Sequence, residues 1–229
     1  MNKLWYLSQI NLMEELPLED LKEIERMAPM SKIPKGTIIS SPGEAPPALY
    51  LLKKGKVRLY KLNREGKEFT LGILGDGNIF GEVETFSTGT RDTYVEAMEE
   101  TLLCVLNKKD FEEFMKERPQ LAIKLIGILT ERLREAEEML ENLAYGSVQK
   151  RLLYLLSKLV HHFGNQKGAY WELDLRLSHQ DLAAMIGATR ETVSATLSEL
   201  TRQGVISKER NKRDLRIHRK KMESMMNEK

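Results

Sequence analysis

The residues of this 229-residue chain best placed to do chemistry stand close together in its last third. Arg190 and Glu191 are adjacent. An arginine fork can grip a guanine through two hydrogen bonds, and a glutamate can accept from a cytosine amine. Ser194 follows one helical turn later, and Ser178, Thr189 and Thr192 supply further hydroxyls nearby. Lys208, Arg210, Lys212 and Arg213 come next. Clustered cations suit phosphate contacts, which give affinity and salt dependence rather than sequence choice.

The elements that must position these groups are legible around them. Ser178 is a candidate helix N-cap, and Leu182, Ala183 and Ile186 give a first helix its inner face. Gly187 can take the left-handed conformation that ends a helix and turns the chain. Thr189 can cap a second helix, with Val193, Leu197 and Leu200 pointing inward. A helix, a tight glycine turn and a second helix predict a helix-turn-helix, whose second helix presents Arg190, Glu191 and Ser194 outward. The alternating, cation-rich stretch Gly204–His218 predicts two short strands, a wing turning near Asn211.

Upstream, the pattern changes twice. Between Ile33 and Leu106 short β-prone runs recur between glycines: 37–40, 49–52, 57–60, 69–73 and 93–97. That spacing predicts a barrel or sandwich. A helix is expected over Leu18–Met27 before it. From Pro119 to Tyr145 strong helix formers dominate, and Ile126, Leu129, Leu133, Ala136, Leu140 and Leu143 alternate by three and four. Such an a/d seam packs on its own domain or pairs two copies, and its length and charged flanks favour a homodimer. A further helix, Val148–His162, and a loop, Phe163–Gly168, lead into the helix-turn-helix.

Charge follows the same division. From Ser147 onward the chain holds 16 Lys and Arg against 9 Asp and Glu, whereas the residues before it hold 20 against 25. A basic C-terminal part behind an acidic N-terminal one predicts nucleic acid at one end and a different role at the other. No apolar run approaches a membrane span and the N-terminus lacks a signal-peptide pattern, so a cytoplasmic, non-membrane protein is expected. The single cysteine, Cys104, lies in the apolar run Thr101–Leu106 and reads as a buried strand residue, with a redox thiol as the alternative.

The order of glycine-punctuated barrel, long helix and basic winged helix resembles the Crp/Fnr family of bacterial regulators over nearly the whole chain. Lys35-Gly36, Pro42-Gly43-Glu44, Tyr50, Gly55 and Gly66 resemble its barrel landmarks, and Ala188-Thr-Arg-Glu-Thr-Val193 its recognition-helix signature. The resemblance implies an α+β fold. Residues 1–116 would form a β-roll or jelly-roll effector domain, 117–146 a dimerisation helix, and 147–229 a winged helix-turn-helix. It implies a homodimer that regulates transcription from a near-palindromic double-stranded DNA operator. It adds Gln180 to Arg190 and Glu191 as DNA contacts. It makes RNA polymerase a partner of the 163–168 loop. Where the family commonly carries a further arginine, this chain has Ala195, which cannot make a bidentate contact.

Phe80–Thr93 is similar to the family's phosphate-binding cassette, so the resemblance places an effector at Gly81, Glu82, Val83, Arg91 and Asp92, with Arg132, Ala136 and Glu137 from the long helix. Backbone N–H groups with an arginine can cradle a phosphate. Glu84 and Asp92 add negative charge there, Ala136 lacks a polar side chain, and Arg132 is placed to pair with Glu82. A cyclic nucleotide, a different small effector and no small ligand therefore all stay open, and no cofactor is required. An iron–sulfur sensor lacks its cysteines, and all four histidines (His161, His162, His179 and His218) lie outside the barrel, which weakens haem. The adjacent His161-His162 pair reads as a solvated helix end rather than a metal site. An enzyme on a cupin-like barrel would need histidine and carboxylate ligands that the barrel does not offer, so no catalytic residue is expected. A dimeric module that binds protein instead of DNA is the other alternative.

Overall fold

A computed structural model describes residues 17–43, 48–83, 86–88, 90, 92–208 and 215–227. Glu44, Glu84, Arg91, Arg210, Asn211, Lys212 and Arg213 lie outside the described residues. The chain divides into two compact units, Met1–Arg134 and Glu135–Lys229, and one long helix runs from the first into the second.

The first unit opens with helix α1 (Leu18–Met27), whose range matches the expected one. Nine strands follow among the described residues: β1 (Met30–Ile33), β2 (Ile38–Ser40), β3 (Ala48–Lys54), β4 (Val57–Leu62), β5 (Glu68–Leu74), β6 (Ile79–Val83), β7 (Phe86–Ser87), β8 (Tyr94–Ala97) and β9 (Thr101–Asn107). They form two antiparallel sheets, ordered β1-β9-β3-β6-β7 and β2-β8-β4-β5. The glycine-punctuated runs thus become a double-sheet β-roll. Strand β3 is buried from Ala48 to Lys53 without alternation. Tyr50 and Leu52 face Val57, Leu59, Phe80 and Val95 in one core, while Leu49 and Leu51 face Ile24, Phe111 and Phe114 in another. A strand covered on both faces has no polar side.

Helix α2 (Lys108–Glu117), which the sequence reading did not anticipate, starts at an Asn107 cap that accepts from the Asp110 N–H. Helix α3 (Pro119–Tyr145) spans the expected range. Its Leu121 and Leu125 enter the second core, whereas Ile126, Leu133 and Leu140 stay 63%, 60% and 65% exposed. Cys104 is buried on β9, its thiol donating to the Ala28 carbonyl at 3.2 Å.

The second unit contains α4 (Val148–Phe163), β10 (Gly164–Lys167), β11 (Tyr170–Leu173), α5 (His179–Ile186), α6 (Arg190–Arg202), β12 (Ile206–Lys208), β13 (Leu215–His218) and α7 (Arg219–Asn227). Its core joins Leu152, Leu156 and Val160 of α4 with residues such as Leu182, Ile186, Val193, Leu197, Leu200, Ile217 and Met222. The loop expected at Phe163–Gly168 is instead a strand. Gly164–Lys167 pairs residue for residue with Tyr170–Leu173. Its composition is poor for a strand, but the β-prone partner supplies backbone hydrogen bonds, and Gly168 takes the turn at φ 61°. These strands extend the wing into a four-stranded sheet, β10-β11-β13-β12.

Candidate nucleic-acid interface

The helix-turn-helix is fixed by its end groups. Ser178 accepts from the Asp181 N–H while Asp181 accepts from the Ser178 N–H, a complete capping box for α5. Gly187 ends α5 in the left-handed conformation at φ 62° and ψ 43°. Arg151 on α4 donates to the Ile186 carbonyl at 2.7 Å, pinning the same turn from beneath. Thr189 then caps α6 by accepting from the Thr192 N–H, and the two hydroxyls lie 2.8 Å apart. Val193, Leu197 and Leu200 are buried, as their spacing predicts.

Burial of that face turns the other one out. Arg190, Glu191, Thr192 and Ala195 are exposed, as is Gln180 on α5. Glu191 in the first turn of α6 is favoured by the helix dipole. Ser194 differs from its neighbours. It is half-buried, and its hydroxyl lies 2.7 Å from Nδ1 of His179, the first residue of α5. The sequence reading passed over His179. The available signal was a ring-bearing residue at the first position of a helix-turn-helix, 15 residues from its partner. The wing strands pair antiparallel, Lys208 opposite Leu215.

In the barrel unit the cassette residues are close-knit. Gly81 adopts φ 99°, and a Cβ there would come 2.3 Å from the Ala48 carbonyl oxygen. Only glycine fits this approach. Its N–H donates to the Thr90 hydroxyl at 3.1 Å, and Thr88 donates to its carbonyl at 2.8 Å. Val83 is buried, and Glu82 accepts from Ser87 at 3.1 Å. Asp92 is exposed and holds a positive φ of 55°. Arg132 of α3 donates to the carbonyls of Ile79 and Thr88. Further along α3, Ala136 and Glu137 are exposed.

Comparison with known proteins bears on both units. The family model "Cyclic nucleotide-binding domain" matches residues 30–118, and "Crp-like helix-turn-helix domain" matches residues 150–222. The cyclic AMP receptor protein of Thermus thermophilus is 36% identical over 173 residues, covering 76% of this chain and 77% of that protein. The chain belongs to the Crp/Fnr family. It is therefore a DNA-binding transcription regulator with a cyclic-nucleotide-binding-like sensor domain. The global nitrogen regulator of Nostoc sp. is another Crp/Fnr relative, 31% identical over 183 residues, or 79% of this chain and 78% of that one. Among solved structures, a CooA mutant from Carboxydothermus hydrogenoformans superposes with a TM-score of 0.74 at 25% identity, over 88% of this Crp/Fnr chain and 89% of the other. Its relatives are regulators rather than enzymes. Among the described residues there is no cluster of His, Cys, Asp and Glu fit to hold a metal, and no helix long and apolar enough to cross a membrane.

Proposed function

We propose that this regulator works as a cytoplasmic homodimer that reads a near-palindromic operator through α6 and answers to a small effector held by the barrel. The observation that carries the reading is the capped helix-turn-helix with Arg190 and Glu191 on its outward face. Arg190 reads a guanine, Glu191 a cytosine amine, and Thr192, Ser194 and Gln180 complete the reading face. Ser178 and Thr189 shape it. Lys208, Arg210, Lys212 and Arg213 on the wing bind phosphates. Two copies pair through the α3 stripe, which places two recognition helices about one DNA turn apart. Domain boundaries near residues 116 and 146 separate sensor, dimer helix and reader.

The effector reading rests on the cassette, with Gly81, Glu82, Val83, Arg91, Asp92 and Arg132 from the first unit, and Ala136 and Glu137 further along α3. A cyclic nucleotide fits this set poorly. The Gly81 N–H is engaged by Thr90, Asp92 adds a negative charge beside a would-be phosphate, and Ala136 offers no hydrogen bond. A different small effector is the better occupant. The β10–β11 hairpin, with Asn165, Gln166 and Lys167 exposed, presents a surface suited to RNA polymerase.

Selection of operators from random DNA, followed by binding across a salt series, tests the reading. The selected sites are expected to be near-palindromes, and log affinity should fall with log salt by roughly 0.9 per phosphate contacted. A flat salt response would point to a protein-binding module instead.

A further inference from the structure

We propose that His179 is a positioning residue for base recognition, because its imidazole fixes the direction of the Ser194 hydroxyl on the reading face of α6. The inference rests on the reading of α6 as the recognition helix.

Ser194 is singled out by its hydrogen bonding. On the same helix the hydroxyls of Thr196, Ser198 and Thr201 each bond back to the carbonyl four residues earlier, on Thr192, Ser194 and Leu197. That is the ordinary choice of a hydroxyl inside a helix. Ser194 turns across to His179 on the preceding helix instead, at 2.7 Å and partly shielded from solvent.

A serine hydroxyl carries one proton and two lone pairs and rotates to suit its neighbours. Left to rotate, it accepts from adenine N6 or cytosine N4 as readily as it donates to guanine O6 or thymine O4. Such a residue discriminates little between base pairs. A ring nitrogen at hydrogen-bond distance removes that freedom. With Nδ1 bare, the hydroxyl proton points at the ring and lone pairs face outward, which selects a base amine. With Nδ1 protonated, the oxygen accepts from the ring and the proton faces outward, which selects a base carbonyl or N7. Either arrangement presents one polarity to the groove. His179 therefore makes Ser194 a selective reader without touching DNA in that role.

The test uses the full chain and the operator selected by the wild-type protein. Binding is competed against every single-base-pair variant of one half-site. Ser194→Ala is expected to relax discrimination at one base pair by about five- to tenfold, the scale of a single hydrogen bond. His179→Ala is expected to relax the same base pair to a similar extent, and the double variant no further. His179→Asn, which keeps a hydrogen-bonding atom close to the Nδ1 position, should retain the preference. A merely structural role would weaken all operator variants alike. The proposal is overturned if His179→Ala acts uniformly, if it relaxes a different base pair from Ser194→Ala, or if Ser194→Ala relaxes none. Should His179→Ala fail to fold, His179→Phe keeps the ring volume without the nitrogen and carries the same test. A wild-type protein that selects no sequence at all would bring down the recognition-helix reading together with this one. An operator that is selected but shows none of these shifts brings down only the His179 assignment.

Discussion

Lys53 is 1% exposed near the end of β3, and its Nζ has no hydrogen-bond partner among the described residues. A buried polar group without a partner costs about 1–3 kcal/mol relative to one that is satisfied or replaced by an apolar group of similar shape. Methionine matches most of the lysine stem and brings no donor. Lys53→Met is therefore expected to stabilise the barrel by about 1–2 kcal/mol, read as a higher urea midpoint at unchanged slope. A lower midpoint would mean that the amine meets a partner. Gly81 is the opposite case, a residue whose absence of side chain is required. A Cβ would press on the Ala48 carbonyl and the Tyr50 ring at a backbone angle that favours glycine. Gly81→Ala should cost roughly 1–3 kcal/mol in the same measurement.

Between elements, the barrel's outer helices are joined by charge. Arg118, at the C-terminal cap of α2, donates to Asp20 and Glu23 on α1 and stacks its guanidinium over Phe114. The Arg118 hydrogen bond holds the Asp20 carboxyl below its ordinary value of 3.8. A carboxyl with a depressed pKa adds stability that is fully present above its unfolded value and lost as pH falls through its folded one. Unfolding measured from pH 7 to pH 2 should therefore show stability falling below about pH 4, and Asp20→Asn should make that part of the curve flatter. An unchanged acid limb in the variant would sink the assignment. The stripe on α3 sets a second expectation at this scale. Its Ile126, Leu133 and Leu140 are exposed, and a charge among them opposes pairing. Leu133→Glu is expected to sediment as a monomer and to lose operator affinity by at least roughly 100-fold, the scale of lost bivalency. A monomeric variant with wild-type affinity would refute pairing as the basis of binding.

For the whole molecule, the uneven charge separates two tasks. The residues from Ser147 onward carry the excess of cations, so DNA is met by the winged helix, and the residues before it, with acidic groups in excess, are left to sense. A ligand couples sensor to reader only if it has different affinities for two states. A ligand at 100 times its Kd raises stability by about 2.7 kcal/mol, which thermal unfolding resolves. Cyclic AMP and cyclic GMP are expected to produce no saturable rise in Tm, because the Gly81 N–H is already engaged by Thr90 and Asp92 adds a negative charge to the proposed phosphate cassette. A saturable rise would restore the cyclic nucleotide as effector. Small molecules that co-purify with the protein and raise its Tm when added back would identify the alternative.

Features governed by local rules are legible in the chain without its fold. Helix periodicity and helix formers set the extent of α1 and α3. Ser178, Gly187 and Thr189 announced the helix-turn-helix because caps and left-handed turns depend on neighbours a few positions away. The spacing of Val193, Leu197 and Leu200 settled which face of α6 is outward. Other features were decided by the tertiary structure, because their causes lie far along the chain. Gly164–Lys167 becomes a strand only because Tyr170–Leu173 folds back to pair with it. Arg132 meets the carbonyls of Ile79 and Thr88 across a separation that no periodicity encodes. His179 reaches Ser194 only once two helices have packed. A hydrogen bond between side chains on different elements leaves no periodic trace in the sequence, so the residues proposed to read DNA were visible there and the residue proposed to aim one of them was not.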